Sequence, residues 1–308
     1  MRWKKLAFLA LLGLLLTACN RASPAPLTGS PSPAATQPAN PAAQASSAST
    51  PSKTPFQPSP TPQPLAARVN GVEIGLTDYQ AELARYQAAG GKTPTPADQK
   101  TVLDDLIDQA LLARGAAEKG YTVDDATLKQ HIDQLVSQLG SPQALNDWMA
   151  SHGYVEATFR ADLARSIAAA WMRDQIISAV PQAVEQVHAR QILVHTSDEA
   201  SKVLAELQGG ADFAQLAEKY NPITLGDLGW FPRGYLTDPK LDDAAFSLEA
   251  GKISGVIQTS SGFYILQVIE RDPQRPLEPD ARLTLQSQAL TAWLADRRNK
   301  STIQVLLP

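Results

Sequence analysis

Apolar residues recur along this chain in three rhythms, and each marks a different kind of segment. From Leu6 to Leu16 they are almost continuous, behind Arg2, Lys4 and Lys5 and ahead of the small residues Thr17 and Ala18. That run is too short to span a bilayer comfortably, and its order of basic start, apolar core and small residues predicts a secretory signal over 1–18. From Asn20 to about Pro64 the large apolar residues nearly vanish in favour of Pro, Ser, Thr and Ala. Such a stretch buries too little surface to offset its ordering entropy, so 19–65 reads as a disordered tether that its prolines stiffen toward polyproline II.

Beyond the tether the patterning becomes that of folded structure. The segment Ala67-Arg68-Val69-Asn70-Gly71-Val72-Glu73-Ile74 alternates around an Asn-Gly turn, which predicts a hairpin beginning near Ala66. Thr95-Pro96-Ala97-Asp98 then supplies an N-cap, a proline at the first helical position and an acid at the third. Behind it Leu103, Leu106, Ile107, Ala110 and Leu111 recur at helical spacing until Gly120. Thr122-Val123-Asp124-Asp125 opens a second helix striped by Leu128, Ile132, Leu135 and Leu139 and stopped at Gly140. Ser141-Pro142 opens a short one. A long helix is predicted from about Val155 to Ser178, with Phe159, Leu163, Ile167 and Trp171 on its stripe and Pro181 beyond its end.

Near the other end, Glu278 to Arg298 predicts a helix carrying Leu283, Leu290, Trp293 and Leu294, followed by the apolar strand Ile303 to Leu307. These late elements have no core of their own, which places 273–308 with the helical module of 66–181 and makes 182–272 an insertion. The fold class expected is α+β: a mostly helical module with an inserted domain.

Composition narrows the class further. The net charge of −4 and the lack of a basic stripe after residue 5 argue against a nucleic-acid partner. Cys19 is the only cysteine, so no intramolecular disulfide is available and an apolar core must hold the fold. Leu16-Thr17-Ala18-Cys19 resembles the bacterial lipobox, in which the cysteine takes a diacylglycerol and becomes the mature N-terminus. That resemblance implies lipidation at Cys19 and an extracytoplasmic, membrane-anchored protein.

The segment 182–272 opens with VHARQILVH and passes two helical stretches, Ser197 to Leu207 and Asp212 to Tyr220, to GDLGWFPRG at Gly226 to Gly234. It continues through Asp238-Pro239 and DDAAFSL to the strands SGVIQT and SGFYILQVIE. Over its whole length it resembles a parvulin-type peptidyl-prolyl isomerase domain, and the flanking helical modules are similar in arrangement to SurA-like and PrsA-like exported folding factors. The resemblance implies a four-stranded antiparallel sheet wrapped by helices, a shallow proline-binding cleft on one sheet face, and unfolded, X-Pro-containing polypeptides as partners. It implies no cofactor and no metal.

Carried across position by position, the apolar cup of such a cleft falls on Leu236, Leu241 and Phe246, with Leu228 in the Gly226-Asp227-Leu228-Gly229 turn that shapes it. Thr259 and Ser261 match polar positions beside it. Where the family pattern has a pair of histidines, this chain has Gln191 and Tyr264, which can still hydrogen-bond across two strands but hold no imidazole proton. His188 falls on the opposite strand face from Gln191, and His195 lies at the strand end. The loop that in the family carries a thiol or acid reads Asn221-Pro222-Ile223-Thr224-Leu225 and has neither. Thr196-Ser197-Asp198-Glu199 is acidic, which disfavours a phosphate before the proline. The expected activity is therefore isomerisation with weakened turnover; a holdase whose domain grips without isomerising, and a structural lipoprotein with one fixed partner, stay open as alternatives.

Overall fold

The computed structural model describes residues 64–307, so the signal, Cys19 and all but the end of the tether fall outside it. The described chain begins with β1 (Leu65–Val69) and β2 (Val72–Gly75), an antiparallel hairpin. Both turn residues are left-handed, Asn70 at φ 50° and Gly71 at φ 87°, which is the twist a two-residue hairpin loop requires. There follow α1 (Leu76–Gly90), α2 (Pro96–Glu118), α3 (Asp125–Leu139), α4 (Pro142–Ser151) and α5 (Glu156–Ser178). The starts have local causes. Thr95 Oγ1 accepts from the Asp98 amide at 3.2 Å while Asp98 Oδ2 accepts from the Thr95 amide at 3.1 Å, a reciprocal cap on α2. Asp124 and Ser141 cap α3 and α4 by accepting from Thr127 and Ala144 at 2.7 and 3.1 Å. The sequence pattern does not delineate α1: Tyr79 is its one buried residue, so no apolar stripe announces it.

Two clusters hold this module. β1, β2, α1 and α2 bury Ala67, Val69, Ile74, Tyr79, Leu103 and Ile107 together. Leu128, Leu135, Leu145, Phe159, Leu163 and Ile167 join α3, α4 and α5.

The second body is built from β3 (Ala183–Val194), α6 (Ser197–Gln208), α7 (Phe213–Tyr220), β4 (Asp227–Pro232), α8 (Pro239–Ser247), β5 (Ile257–Thr259) and β6 (Gly262–Pro276). Its sheet is four-stranded and antiparallel, in the order β4-β3-β6-β5. β3 and β6 pair from Ala183 opposite Pro276 to Val194 opposite Phe263, and the buried Gln186 donates to the carbonyls of Arg275 and Pro276 at 2.9 and 3.0 Å. The entering and leaving strands thus form one ribbon. α6 and α7 cover one face of the sheet, over Ile192, Val194 and Ile265, and α8 covers the other, over Val187, Ala189, Leu266 and Val268. The strand expected over SGVIQT is shorter than predicted. Only Ile257–Thr259 pairs as a ladder, because upstream the buried Ser254 uses its hydroxyl, accepting from the Leu266 amide at 2.9 Å, and Ile253 makes an isolated bridge to Gln267.

The chain then returns. α9 (Pro279–Asn299) packs on α2 and α5 through Leu290, Trp293 and Leu294, and β7 (Ile303–Val305) adds to the free edge of β1. Trp293 lies so close to Gly115 of α2 that a Cβ there would meet the indole at 2.7 Å. Arg298 donates to Asp108 at 2.6 Å and to Asp104 at 3.1 Å. Leu283, expected on the buried stripe, is exposed, because it sits before the part of α9 that reaches the helical module. Among the described residues no helix is long and apolar enough to cross a membrane.

This packing can be tested from both sides of α2. Gly115→Val overpacks the α2–α9 contact and destabilises the chain by about 1–3 kcal/mol, read by chemical denaturation. On the same helix, partial burial together with Asp108, Glu82 and Asp104, opposed by Arg298, pushes the Asp105 carboxyl up to about 6. Its folded pKa lies above the unfolded value, so the ionised form weakens folding, and the cost grows as pH rises from about 4 to 6. Asp105→Asn therefore stabilises by about 1 kcal/mol at pH 7, after allowance for solvent screening, and by almost nothing at pH 4. Equal gains at both pH values would contradict the assignment.

Candidate functional site

The face of the second sheet under α8 carries the candidate cleft. α8 starts where Asp238 accepts from the Lys240 amide at 2.9 Å and Pro239 occupies the first turn. Its buried residues are Leu241, Asp242, Ala245 and Phe246. Leu228, Leu236, Leu241, Phe246, Ile257 and Tyr264 gather there in one apolar cluster with Val187, Ala189, Phe231, Leu266 and Val268. All four apolar residues expected from the sequence are brought together.

Their roles differ. Leu241 and Phe246 are only 8% and 5% exposed, so they form a floor that is largely part of the domain's own core. Phe231 meets Phe246 edge to face at 6.1 Å, and the Arg233 guanidinium lies 4.6 Å from the centre of the same ring. The half-buried Leu228, Leu236, Ile257 and Tyr264 supply the accessible wall. Arg233 and Ile257 were not singled out from the sequence. Ile257 was visible as the apolar member of the short strand; the approach of Arg233 to Phe246 depends on how the Pro232–Gly234 turn folds over α8. That turn is held from beneath by Asp242, a buried carboxylate that accepts from the Gly234 amide at 2.8 Å.

The expected polar pair is only half realised. Gln191 and Tyr264 lie on neighbouring strands and on the same face, but Gln191 is opposite Leu266 while Tyr264 is opposite Leu193 and Ile257. They are diagonal neighbours, and no hydrogen bond joins their side chains. The register leaves them diagonal, at a separation long side chains can span, and the two side chains do not turn toward each other to bond. Thr259 and Ser261 sit in the β5–β6 turn. The Thr259 hydroxyl is used there, donating to the Gly262 carbonyl at 3.2 Å and accepting from the Ser261 amide at 3.1 Å, and Ser261 is exposed.

The GDLG turn is built as a support. Gly226 (φ 73°) presses so closely on β3 that a Cβ would stand 2.1 Å from the Gln191 carbonyl, and its own carbonyl accepts from the Gln191 amide at 2.8 Å. Asp227 accepts from the Gly229 amide at 2.8 Å, and His188 Nε2 lies 2.9 Å from the same carboxylate oxygen. Partial burial raises the Asp227 pKa, but the Gly229 amide, His188 and Arg190 outweigh it and hold the carboxyl below its ordinary value. His188 also stacks on Trp230, on the face away from the cleft, and His195 is exposed just past the end of β3. Thr196 caps α6 by accepting from the Glu199 amide at 3.2 Å, so the acidic stretch is a helix start.

The wall is apolar apart from the Tyr264 hydroxyl; nearby, Asp227 and Asp242 are engaged with backbone amides and Asp243 pairs with Arg233 at 3.4 Å. Among the described residues no group of three or more His, Cys, Asp or Glu is placed to hold a metal. A separate open groove of about 420 Å³, lined by Arg190, Phe213, Lys252 and Gln267 among others, lies on the opposite sheet face and shares no residue with the cleft. What the candidate cleft offers chemically is partly exposed apolar surface at Leu228, Leu236, Ile257 and Tyr264, a lining suited to a compact apolar group.

Both bodies have relatives among known proteins. Residues 180–282 match the model of the PPIC-type PPIase domain, and residues 49–173 match the SurA-like N-terminal domain. The foldase protein PrsA of Geobacillus kaustophilus is 27% identical over 185 residues, covering 57% of this chain and 64% of that protein. The chaperone SurA of Methylobacillus flagellatus is 32% identical over 148 residues, covering 41% of this chain and 34% of that protein. The chain thus spans less than two thirds of the length of these curated relatives. A crystal structure of the peptidylprolyl isomerase PrsA from Bacillus cereus overlays with a TM-score of 0.44 at 18% identity, covering 75% of this chain and 85% of that one. The helical half of the chain thus carries a SurA-like N-terminal domain, and the second sheet belongs to a PPIC-type PPIase domain.

Proposed function

We propose that this protein is an extracytoplasmic folding factor, lipid-anchored through Cys19, whose domain over 182–272 isomerises X-Pro bonds in newly exported polypeptides with modest turnover. The observation that carries the reading is the apolar wall of Leu228, Leu236, Ile257 and Tyr264 over the floor of Leu241 and Phe246. Rotation about an X-Pro bond faces a barrier of about 18–20 kcal/mol, which makes it slow enough to limit folding. The reaction breaks no covalent bond and moves no proton, so a site can lower the barrier by shape alone. The wall takes the pyrrolidine ring, its surroundings strip water from the preceding carbonyl, and the twisted amide, which has lost conjugation, is bound better than either planar form.

Modest turnover is the expected outcome of two features. Gln191 and Tyr264 are diagonal and unbonded, so the polar support beneath the cleft is looser than a bonded pair. Arg233 covers Phe246, so the ring of a substrate reaches that floor only when the guanidinium moves aside. The same burial of Leu241 and Phe246 favours a second reading, in which the domain grips proline-bearing segments as a holdase without accelerating their isomerisation.

Magnetisation-exchange NMR on a short Leu-Pro peptide, with the chain as it stands after Ala18, separates the two. The isomerase reading requires enhanced cis–trans exchange; binding without enhancement, combined with suppressed aggregation of an unfolded client, decides for the holdase. Leu236→Ala, at a half-buried wall position, is expected to weaken peptide binding about tenfold, equivalent to about 1.4 kcal/mol, with little loss of thermal stability. Because His195 lies exposed past the strand end, His195→Ala is expected to leave the exchange enhancement unchanged. Loss of the enhancement in that variant would sink the shape-only mechanism.

A further inference from the structure

The cleft rim at Pro232–Tyr235 is held from both halves of the molecule at once. The Tyr235 amide donates to the Pro232 carbonyl at 3.2 Å, closing a tight turn with Arg233 and Gly234 at its centre. Gly234 has φ 84°, the left-handed conformation that such a turn asks of its third residue. Both polar groups of Gly234 are taken. Its amide donates to Asp242 Oδ1 of α8 at 2.8 Å, and its carbonyl accepts from Nε2 of Gln288, a residue of α9 that lies 54 positions further along the chain. The approach is close: a Cβ at position 234 would stand 3.0 Å from Gln288 Oε1.

Peptide planes are rigid, so fixing the amide and the carbonyl of Gly234 fixes the planes on both its sides, and with them the direction in which Arg233 projects. The Arg233 guanidinium lies 4.6 Å from the centre of the Phe246 ring and 3.4 Å from Asp243. α9 itself is anchored in the helical module. Gln286 donates to the Ile177 carbonyl at the end of α5 at 3.3 Å, and Leu290, Trp293 and Leu294 pack against α2 and α5. Gln288 is exposed, and water would serve it and the Gly234 carbonyl almost as well, so the bond between them adds little to stability. What the bond fixes is position.

We propose that Gln288 is a positioning residue through which the helical module holds Arg233 over Phe246, so that displacement of α9 from α2 and α5 uncovers the floor of the cleft. This rests on the cleft reading above and names how that site is regulated. A client segment that engages the helical module and shifts α9 releases the Gly234 carbonyl; by reciprocity, a proline segment that pushes Arg233 aside loosens α9.

The test uses the full chain after Ala18, with Gln288→Ala, Gln288→Glu, Arg233→Ala and the Gln288→Ala, Arg233→Ala double variant. Two quantities are read: the Phe246 ring signals in aromatic NMR spectra without peptide, and the affinity for a short Leu-Pro peptide by NMR titration. Arg233→Ala is expected to shift the ring signals and to tighten binding about threefold, the size of one exposed cation–π contact. Gln288→Ala should move the same signals and tighten binding about twofold, and Gln288→Glu, which keeps the length of the side chain but loses the donor, should match it. Because both positions act through one guanidinium, the double variant should bind no tighter than Arg233→Ala, with melting temperatures alike throughout. Unmoved Phe246 signals in Gln288→Ala would overturn the positioning role, as would gains that add in the double variant or binding that neither single variant tightens. Shifted ring signals with no peptide bound by the wild type or any variant would support the positioning of Arg233 and bring down the cleft reading instead.

Discussion

Three hydrogen bonds at Asn70 close this molecule. The Asn70 amide donates to the Thr302 carbonyl, its side-chain oxygen accepts from the Thr302 amide, and its side-chain nitrogen donates to Ser301, each at 2.9 Å. They pin the last strand to the first hairpin across the length of the described chain, with Ala67, Arg68 and Val69 of β1 opposite Val305, Gln304 and Ile303. The second body, β3 to β6, must therefore leave the helical module and return to it. α9 makes the return, fixed by Trp293 against Gly115 and by Arg298 on Asp104 and Asp108.

The departure and the return run side by side. β3 leaves and β6 comes back as one antiparallel ribbon, with the buried Gln186 bonded to two backbone carbonyls at its base. Burying a polar side chain is costly unless its bonds are made, and here they are made to the partner strand, so the ribbon is specified as well as stabilised. The cleft inherits its geometry from that register. A different offset between β3 and β6 would place Gln191 beside Tyr264; the observed one places Leu266 there.

The cleft itself is a compromise between core and site. Leu241 and Phe246 hold α8 to the sheet and at the same time floor the cleft, so they are nearly buried. Accessible apolar surface is left to Leu228, Leu236, Ile257 and Tyr264, with Arg233 over the Phe246 ring. Asp242 beneath the Gly234 turn, and Asp227 under Gly229, are carboxylates that fix backbone by accepting from its amides. Under the proposed function, such a site has only to bind the twisted amide better than either planar form.

The elements whose causes are local were legible in the residues. The reciprocal Thr95–Asp98 cap, the Asn70-Gly71 turn, the glycine stop at Gly140 and the stripe of Phe159, Leu163 and Ile167 each act within a few residues, so the sequence alone determined those helices and the hairpin. The apolar identity of Leu228, Leu236, Leu241 and Phe246 was legible in the same way. α1 was not, because its stability comes from packing Tyr79 and its neighbours under β1 and β2 and not from a stripe of its own. Nor was the diagonal placing of Gln191 and Tyr264, which is set by pairing between strands far apart in the chain. The same holds for the burial of Leu241, the placing of Arg233 over Phe246, the exposure of Leu283 and the left-handed Leu225. Tertiary structure alone decided these, since each depends on which surfaces meet, and a one-dimensional pattern records which residues are apolar but not what comes to cover them.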